Sequence, residues 1–308
     1  MALSTNPWDA TALVAYIAET WPGPTNEEFF AEAVAANFFM DLSPYSQGVD
    51  IIHVPNVFTN VFTVNTQSNQ ATEVTTGDAT TVDDKLTLNN HVYIATLLGD
   101  MDQQQIASVY NLNEIYSRKA GGTLVEDLEG DLFALQSSVS TNTVNDTASV
   151  INDTDLRLAV EPLDTADVPL NECAWFFHPY AYWSQIHAIA KYYDASQAGW
   201  NGNPPVTSGN FGTTAGQMRS LRGTLYGMPV YTSSKVVNAT LATKNLLAHK
   251  NAFMFATQTP GGSRIRFQAQ NWLENLGILA VWDMMNGVSE VREEAATLIN
   301  GSNAFIAS

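Results

Sequence analysis

Between residues 56 and 98 the chain has a single glycine, Gly77, and no proline, and that spacing limits its folding more than any other feature. Gly77 stands in the turn signal "TGD", and the flanking arms, "VFTNVFTVNTQ" and "KLTLNNHVYIATLL", are rich in Thr and Val. β-Branched residues fit a pleated surface, so the stretch predicts one long hairpin. Its arms, about 20 residues each against the usual 5 or 6, would reach roughly 60 Å at about 3.3 Å per residue. The apolar residues Val57, Phe58, Val61, Phe62 and, on the return, Val92, Ile94 and Leu97 fall at the base, while the distal "TQSNQATEVTTGDATTVDD" is almost wholly polar. A two-stranded ribbon has no core of its own and leaves two open edges. It must lie on something else, either its own domain or a neighbouring subunit.

Around this hairpin the pattern is helical. Asn6 and Pro7 start a first helix carrying Leu13, Ile17 and Trp21. A second starts at Asn26 with Glu27 and Glu28, carries Phe29, Phe30, Ala33, Val34 and Phe38, and is stopped by Ser43-Pro44. From 111 to about 139 the residues Ile115, Leu124, Leu128, Leu132 and Leu135 mark one long helix face. Gly121-Gly122 predicts a bend or a close contact in it. The acids Glu126, Asp127, Glu129 and Asp131 are assigned to its solvent side.

The stretch "STNTVNDTASVINDTD" (140–155) reads as a loop or linker, after which a further domain begins. In "AWFFHPYAYWSQIHAIAKYYD" a strand leads through His178-Pro179 into a helix, followed by the glycine-rich "AGWNGNPPVTSGNFGTTAG". In "GTLYGMPVYTSSKV" the structural turn residues are Gly227, which tolerates positive φ, and Pro229, which fixes the exit. Strand-like "NAFMFAT", "RIRFQAQ" and "NLGILAVWDMMNGVSEVRE" close the chain, with Asn286-Gly287 signalling a tight hairpin.

The 308 residues include 31 acids and 13 bases, a net charge of −18 that argues against a basic groove for nucleic acid. Residues 1–117 carry 14 carboxylates and one base, Lys85, leaving 17 and 12 for the rest. Cys173 is the only cysteine, so no intrachain disulfide exists and a small buried thiol is expected. The start lacks a basic leader and no apolar run reaches the ~18 to 20 residues of a membrane span, so the expectation is a cytoplasmic protein with no membrane contact. Phosphate-binding loops, His-Glu-x-x-His, Gly-x-Ser-x-Gly and calcium loops are missing. His53, His91, His178, His187 and His249 are scattered, and Ser233 and Ser234 have no flanking base. No catalytic residue, metal or cofactor is assigned, and the chain is not expected to be an enzyme.

The order of these parts resembles the major capsid proteins of tailed bacteriophages, with the Hong Kong-97-type capsid fold, of α+β class. The local match is best at "ADVPLNECAWFFHPYAYWSQI", at "LRGTLYGMPVYTSSKV" and at "LLAHKNAFMFATQ". The resemblance implies an N-terminal arm with short helices (1–50), an extended hairpin loop (51–99), and a spine helix with a linker of the peripheral domain (100–155). An axial domain (156–250) and C-terminal strands of the peripheral domain (251–308) follow. It implies a subunit that self-assembles into pentamers and hexamers of an icosahedral head, in the virion, around double-stranded DNA held without specific recognition. An acidic inner wall would not grip that DNA. Scaffolding, portal and decoration proteins are further partners, and with fewer than 60 residues before the hairpin the expectation is that any scaffold is a separate chain or a segment removed by earlier cleavage. Lys85, the hairpin's one lysine, is a candidate inter-subunit contact: some members link such a lysine covalently to an asparagine, whereas Asp83 and Asp84 beside it suggest a salt bridge. An encapsulin-like compartment shell keeps the fold with another role. A carbohydrate-binding protein or glycoside hydrolase using Trp200 and carboxylates is a third reading.

Overall fold

A computed structural model describes residues 33–56, 82–99, 112–145, 149–189, 206–207, 221–239, 242–258, 264–272 and 277–302. In chain order it begins with α1 (Ala35–Phe38), β1 (Met40–Asp41), β2 (Ile51–Asn56), β3 (Val82–Thr87), β4 (Asn90–Gly99) and the long helix α2 (Leu112–Ala134). Next come β5 (Thr143–Val144), α3 (Asp153–Thr165) and β6 (Cys173–Phe177), then a helical turn over Pro179–Ala181 that widens into a π turn over Tyr182–Ile186. β7 (Val206–Thr207), β8 (Leu221–Leu225), β9 (Met228–Thr232), β10 (Asn238–Ala239) and β11 (Ala242–His249) lead to β12 (Phe253–Gln258), β13 (Arg266–Trp272), β14 (Gly277–Glu290) and β15 (Ala296–Ser302).

Among these residues the strands form two main sheets and the hairpin base. One sheet runs β1-β12-β14-β13, with β4 also paired to β14 over ten residue pairs. The other runs β5-β15-β11-β6-β9-β8-β7, with β10 on β11. β6, "CAWFF", is buried at every position because it has β11 antiparallel on one side and β9 parallel on the other. Its Phe176 meets Phe38 at 5.3 Å, Phe39 at 5.5 Å, Phe133 of α2 at 5.6 Å and Tyr231 of β9 at 5.8 Å between ring centres. Phe39 in turn lies 5.1 Å from Phe253 of β12, so both sheets, the helix and the N-terminal segment share one core.

Helix α2 runs unbroken through Gly121-Gly122 and buries Ala120, Leu124, Leu128, Leu132 and Phe133 against that core. The expected apolar stripe at 124, 128 and 132 is present because its spacing of four keeps one face inward.

Several expectations need correction. The hairpin's return arm is not one strand: β3 pairs with β2, but from Asn90 the chain leaves for β14 of the five-stranded sheet. Residues 57–81, the distal arms, lie outside the described residues, as do the expected first helix at 6–21 and the start of the second. The second helix ends at Phe38, before the proline expected to stop it; Ser43–Tyr45 forms a separate 3-10 turn. The 140–155 segment holds β5, paired parallel with β15, and ends in a helix start that the loop reading missed. There Asn152 accepts the Thr154 and Asp155 N–H groups while Asp155 accepts the Asn152 N–H, a reciprocal cap on α3.

Asn286-Gly287 is not a turn; it lies inside β14. The glycine is needed for another reason. The chain crosses over it between β3 and β4, and a Cβ at 287 would sit 2.3 Å from the Thr87 carbonyl oxygen and 3.2 Å from the Leu88 Cα. Gly287→Ala should therefore cost about 2 kcal/mol or more and lower the midpoint of thermal unfolding by several degrees. Gly130→Ala, in helix α2 with open space around the new methyl group, should be neutral or stabilising by up to about 1 kcal/mol. Differential scanning fluorimetry of the two variants measures the contrast.

Candidate functional site

The acidic face of α2 is the first place where side chains converge, and its chemistry differs from the solvated face expected. Glu129 is fully buried. Its carboxylate accepts the N–H groups of Val34 and Ala35 on Oε1, both at 2.9 Å, and those of Ala35 and Ala36 on Oε2 at 3.0 and 3.2 Å. These are the otherwise unsatisfied donors at the start of α1, so a residue 95 positions away supplies the helix cap. Asp131 Oδ2 accepts the side-chain amides of Asn90 at 2.9 Å and Asn286 at 3.4 Å, tying the helix to β4 and β14. Glu126 pairs with Lys235 at 2.9 Å. Asp127 stays on the exposed side as expected; partial desolvation and then the Asp131 charge raise its pKa.

The base of the hairpin is the second. Ile52, Leu86 and Leu88 pack on Met254 and Ala256 of β12 and form a separate small core, so this part of the ribbon lies on its own sheet. Asp83 pairs with His53 at 2.5 Å. Lys85 is exposed on β3 opposite His53 in the register.

The third is the β8–β9 turn. Leu225 pairs with Met228, leaving Tyr226 and Gly227 as a two-residue loop with φ of 52° and 83°. Both central residues at positive φ define a type I′ hairpin, whose twist matches that of its strands. Gly227 takes this conformation without strain; Tyr226 does not, and its phenol donates to Asp153 Oδ1 at 2.6 Å on the first turn of α3. Pro229 follows in β9, paired with Thr224.

The remaining reactive groups are held by structural partners. Asp283, buried in β14, receives two bonds from Arg266, at 2.9 and 2.6 Å, and faces His91 Nε2 at 2.9 Å; chiefly the Arg266 guanidinium holds its carboxyl below the usual range. His178 Nδ1 accepts the Tyr180 N–H, and burial lowers its pKa. His187 packs beside Trp183, which Arg222 overlies at 5.7 Å. Ser233 is buried and its hydroxyl accepts the Lys235 N–H. Burial and then the Glu172 charge push the Cys173 thiol up to about 11, the inert buried thiol expected. The side-chain and backbone donors of Thr141, with those of Ser140, pull Glu293 down to about 2. Among the described residues no three His, Cys, Asp or Glu side chains gather as a metal site, and no helix is long and apolar enough to cross a membrane. These contacts tie elements together, and none sets a nucleophile beside a base.

Three variants test these contacts. Glu129→Ala leaves three amide donors without their acceptor and should cost about 3 kcal/mol. Gly227→Val forces a β-branched residue to positive φ and should cost roughly 1 to 2 kcal/mol, with Ser233→Ala well below that. Urea unfolding of the three proteins gives the ranking, and equal midpoints for Glu129→Ala and the parent would remove Glu129 from its role.

No family model matches the sequence, and no curated protein matches it. Solved structures do. A structure from Mycobacterium phage Che8 superposes with a TM-score of 0.68 at 16% identity, over 92% of this chain and 97% of that one. The capsid structure of the cyanophage P-SCSP1u gives 0.68 at 13% identity, over 94% of both chains. The SrpI encapsulin complex from Synechococcus elongatus PCC 7942 gives 0.58 at 14%, over 97% and 96%. The chain has the α+β capsid fold that these structures share.

Proposed function

We propose that this chain is a major capsid protein, a subunit that self-assembles into the pentamers and hexamers of an icosahedral phage head enclosing double-stranded DNA. The observation that carries the reading is end-to-end likeness to phage capsids, with more than nine tenths of both chains aligned. Three features of the chain support it. Glu129, Asp131 and Asp283 hold elements together, as suits a structural protein. The net charge of −18 suits a wall past which DNA slides. Tyr45, Tyr93, Trp183 and Phe267 stay more than half exposed, surface that a neighbouring copy would cover.

In this reading residues 1–50 are the arm, 51–99 the extended loop, 100–155 the spine helix and linker, 156–250 the axial domain, and 251–308 the C-terminal peripheral strands. Gly227 and Pro229 form a corner within the axial domain. Lys85, exposed at the loop's base, contacts another subunit. Scaffolding, portal and decoration proteins are outside partners, and assembly takes place in a host cytoplasm. The likeness to an encapsulin supports a second reading, a compartment shell around a cargo enzyme.

Purified protein should give capsomers or closed shells by negative-stain microscopy and light scattering. A stable monomer under all conditions overturns both readings. Shells isolated from the native source should protect double-stranded DNA from nuclease; a protein cargo in its place selects the compartment.

A further inference from the structure

The chain crosses between the two sheets at two adjacent places. β11 ends at His249, paired with Cys173 in the eight-stranded sheet, and β12 begins at Phe253 in the other. The return runs from Glu290 at the end of β14 to Ala296 at the start of β15. Both crossings meet at Ala252, whose carbonyl accepts the N–H groups of Val291 at 2.9 Å and Arg292 at 3.2 Å. The 249–252 turn is itself held by two bonds to one residue. The Ala252 N–H donates to the His249 carbonyl at 2.9 Å, and the Asn251 N–H donates to His249 Nδ1 at 3.1 Å.

His249 is buried, and the acceptor role of Nδ1 assigns its ring hydrogen to Nε2, which faces Glu172 Oε2 at 3.2 Å. The other Glu172 oxygen takes the Lys250 ammonium at 2.9 Å. Arg292 adds positive charge from the return crossing, and Cys173, opposite on β6, is an uncharged thiol. Burial acts most strongly on the ring and lowers its pKa, with Lys250 and Arg292 acting the same way and Glu172 against them. A folded value below the unfolded one means that the neutral ring contributes stability above about pH 6.5, lost as pH falls through the folded value. A proton on Nδ1 would set two donors face to face across the Asn251 contact.

We propose that His249 is an acid-sensitive pin in the junction between the two sheets. Neutral, it closes the 249–252 turn; protonated, it releases the Asn251 amide, turns toward Glu172 and loosens both crossings. The pin belongs to the subunit and does not depend on the shell reading.

The test is hydrogen–deuterium exchange of the full chain at about pH 7.5 and about pH 5, corrected for the intrinsic rates, beside His249→Asn. An asparagine oxygen accepts the N–H two residues on and carries no proton in this range, so the turn is kept and the titration removed. On acidification, protection of peptides covering 250–253 and 290–296 should fall about tenfold in the parent and stay unchanged in His249→Asn. Unchanged protection in the parent, or the same loss in the variant, overturns the pin. Should the variant not fold, ring ¹⁵N shifts of the parent decide. A neutral Nε2–H ring that becomes imidazolium as the protection falls supports it, and a ring that stays neutral throughout, or is charged at both pH values, overturns it.

Discussion

Phe176 is the point on which the fold depends. It belongs to the eight-stranded sheet, touches the long helix through Phe133 and the N-terminal segment through Phe38 and Phe39, and reaches the five-stranded sheet through the Phe39–Phe253 contact. Burying one such ring is worth about 1.5 to 3 kcal/mol, and edge-to-face contacts add to that. Four elements from distant parts of the sequence therefore share one apolar volume, and none can shift without opening a void against the others.

Polar contacts then fix what packing leaves adjustable. Glu129 and Asp131 leave α2 on different sides: the first caps α1, the second holds Asn90 and Asn286 of the sheet. Each is a carboxylate whose lone pairs are taken by donors from another element, so the helix is set in position along its axis as well as in depth. The strained Tyr226 turn is tied in the same way to α3 through Asp153. Such contacts join the described elements into one connected frame.

Much of this was legible in the residues. The 124, 128, 132 stripe specified the buried face of α2, the residues before His178-Pro179 marked a strand, and Gly227 marked a left-handed turn. These signals are local: side-chain period and φ preference act within a few residues. The missed start of α3 was local too, since Asn152 and Asp155 stand at capping spacing, but the polar stretch before them reads equally as linker. The course of β4 was not legible, because Val92, Ile94 and Leu97 suit either a ribbon or a sheet.

The sequence by itself determined the apolar helix face, the position of the β8–β9 turn and an inert thiol, all properties of spacing and residue type. Only the tertiary structure decided that Glu129 is a buried cap rather than a solvated acid, that Asn286-Gly287 runs straight within a strand, and that His249 sits at the junction of two sheets. The physical reason is distance along the chain. The partners of Glu129 lie more than 90 residues away, and the Thr87 carbonyl that excludes a side chain at 287 arrives from another strand. A carboxylate, a glycine or an imidazole is the same residue in either setting, and its role is set by which groups the fold brings against it.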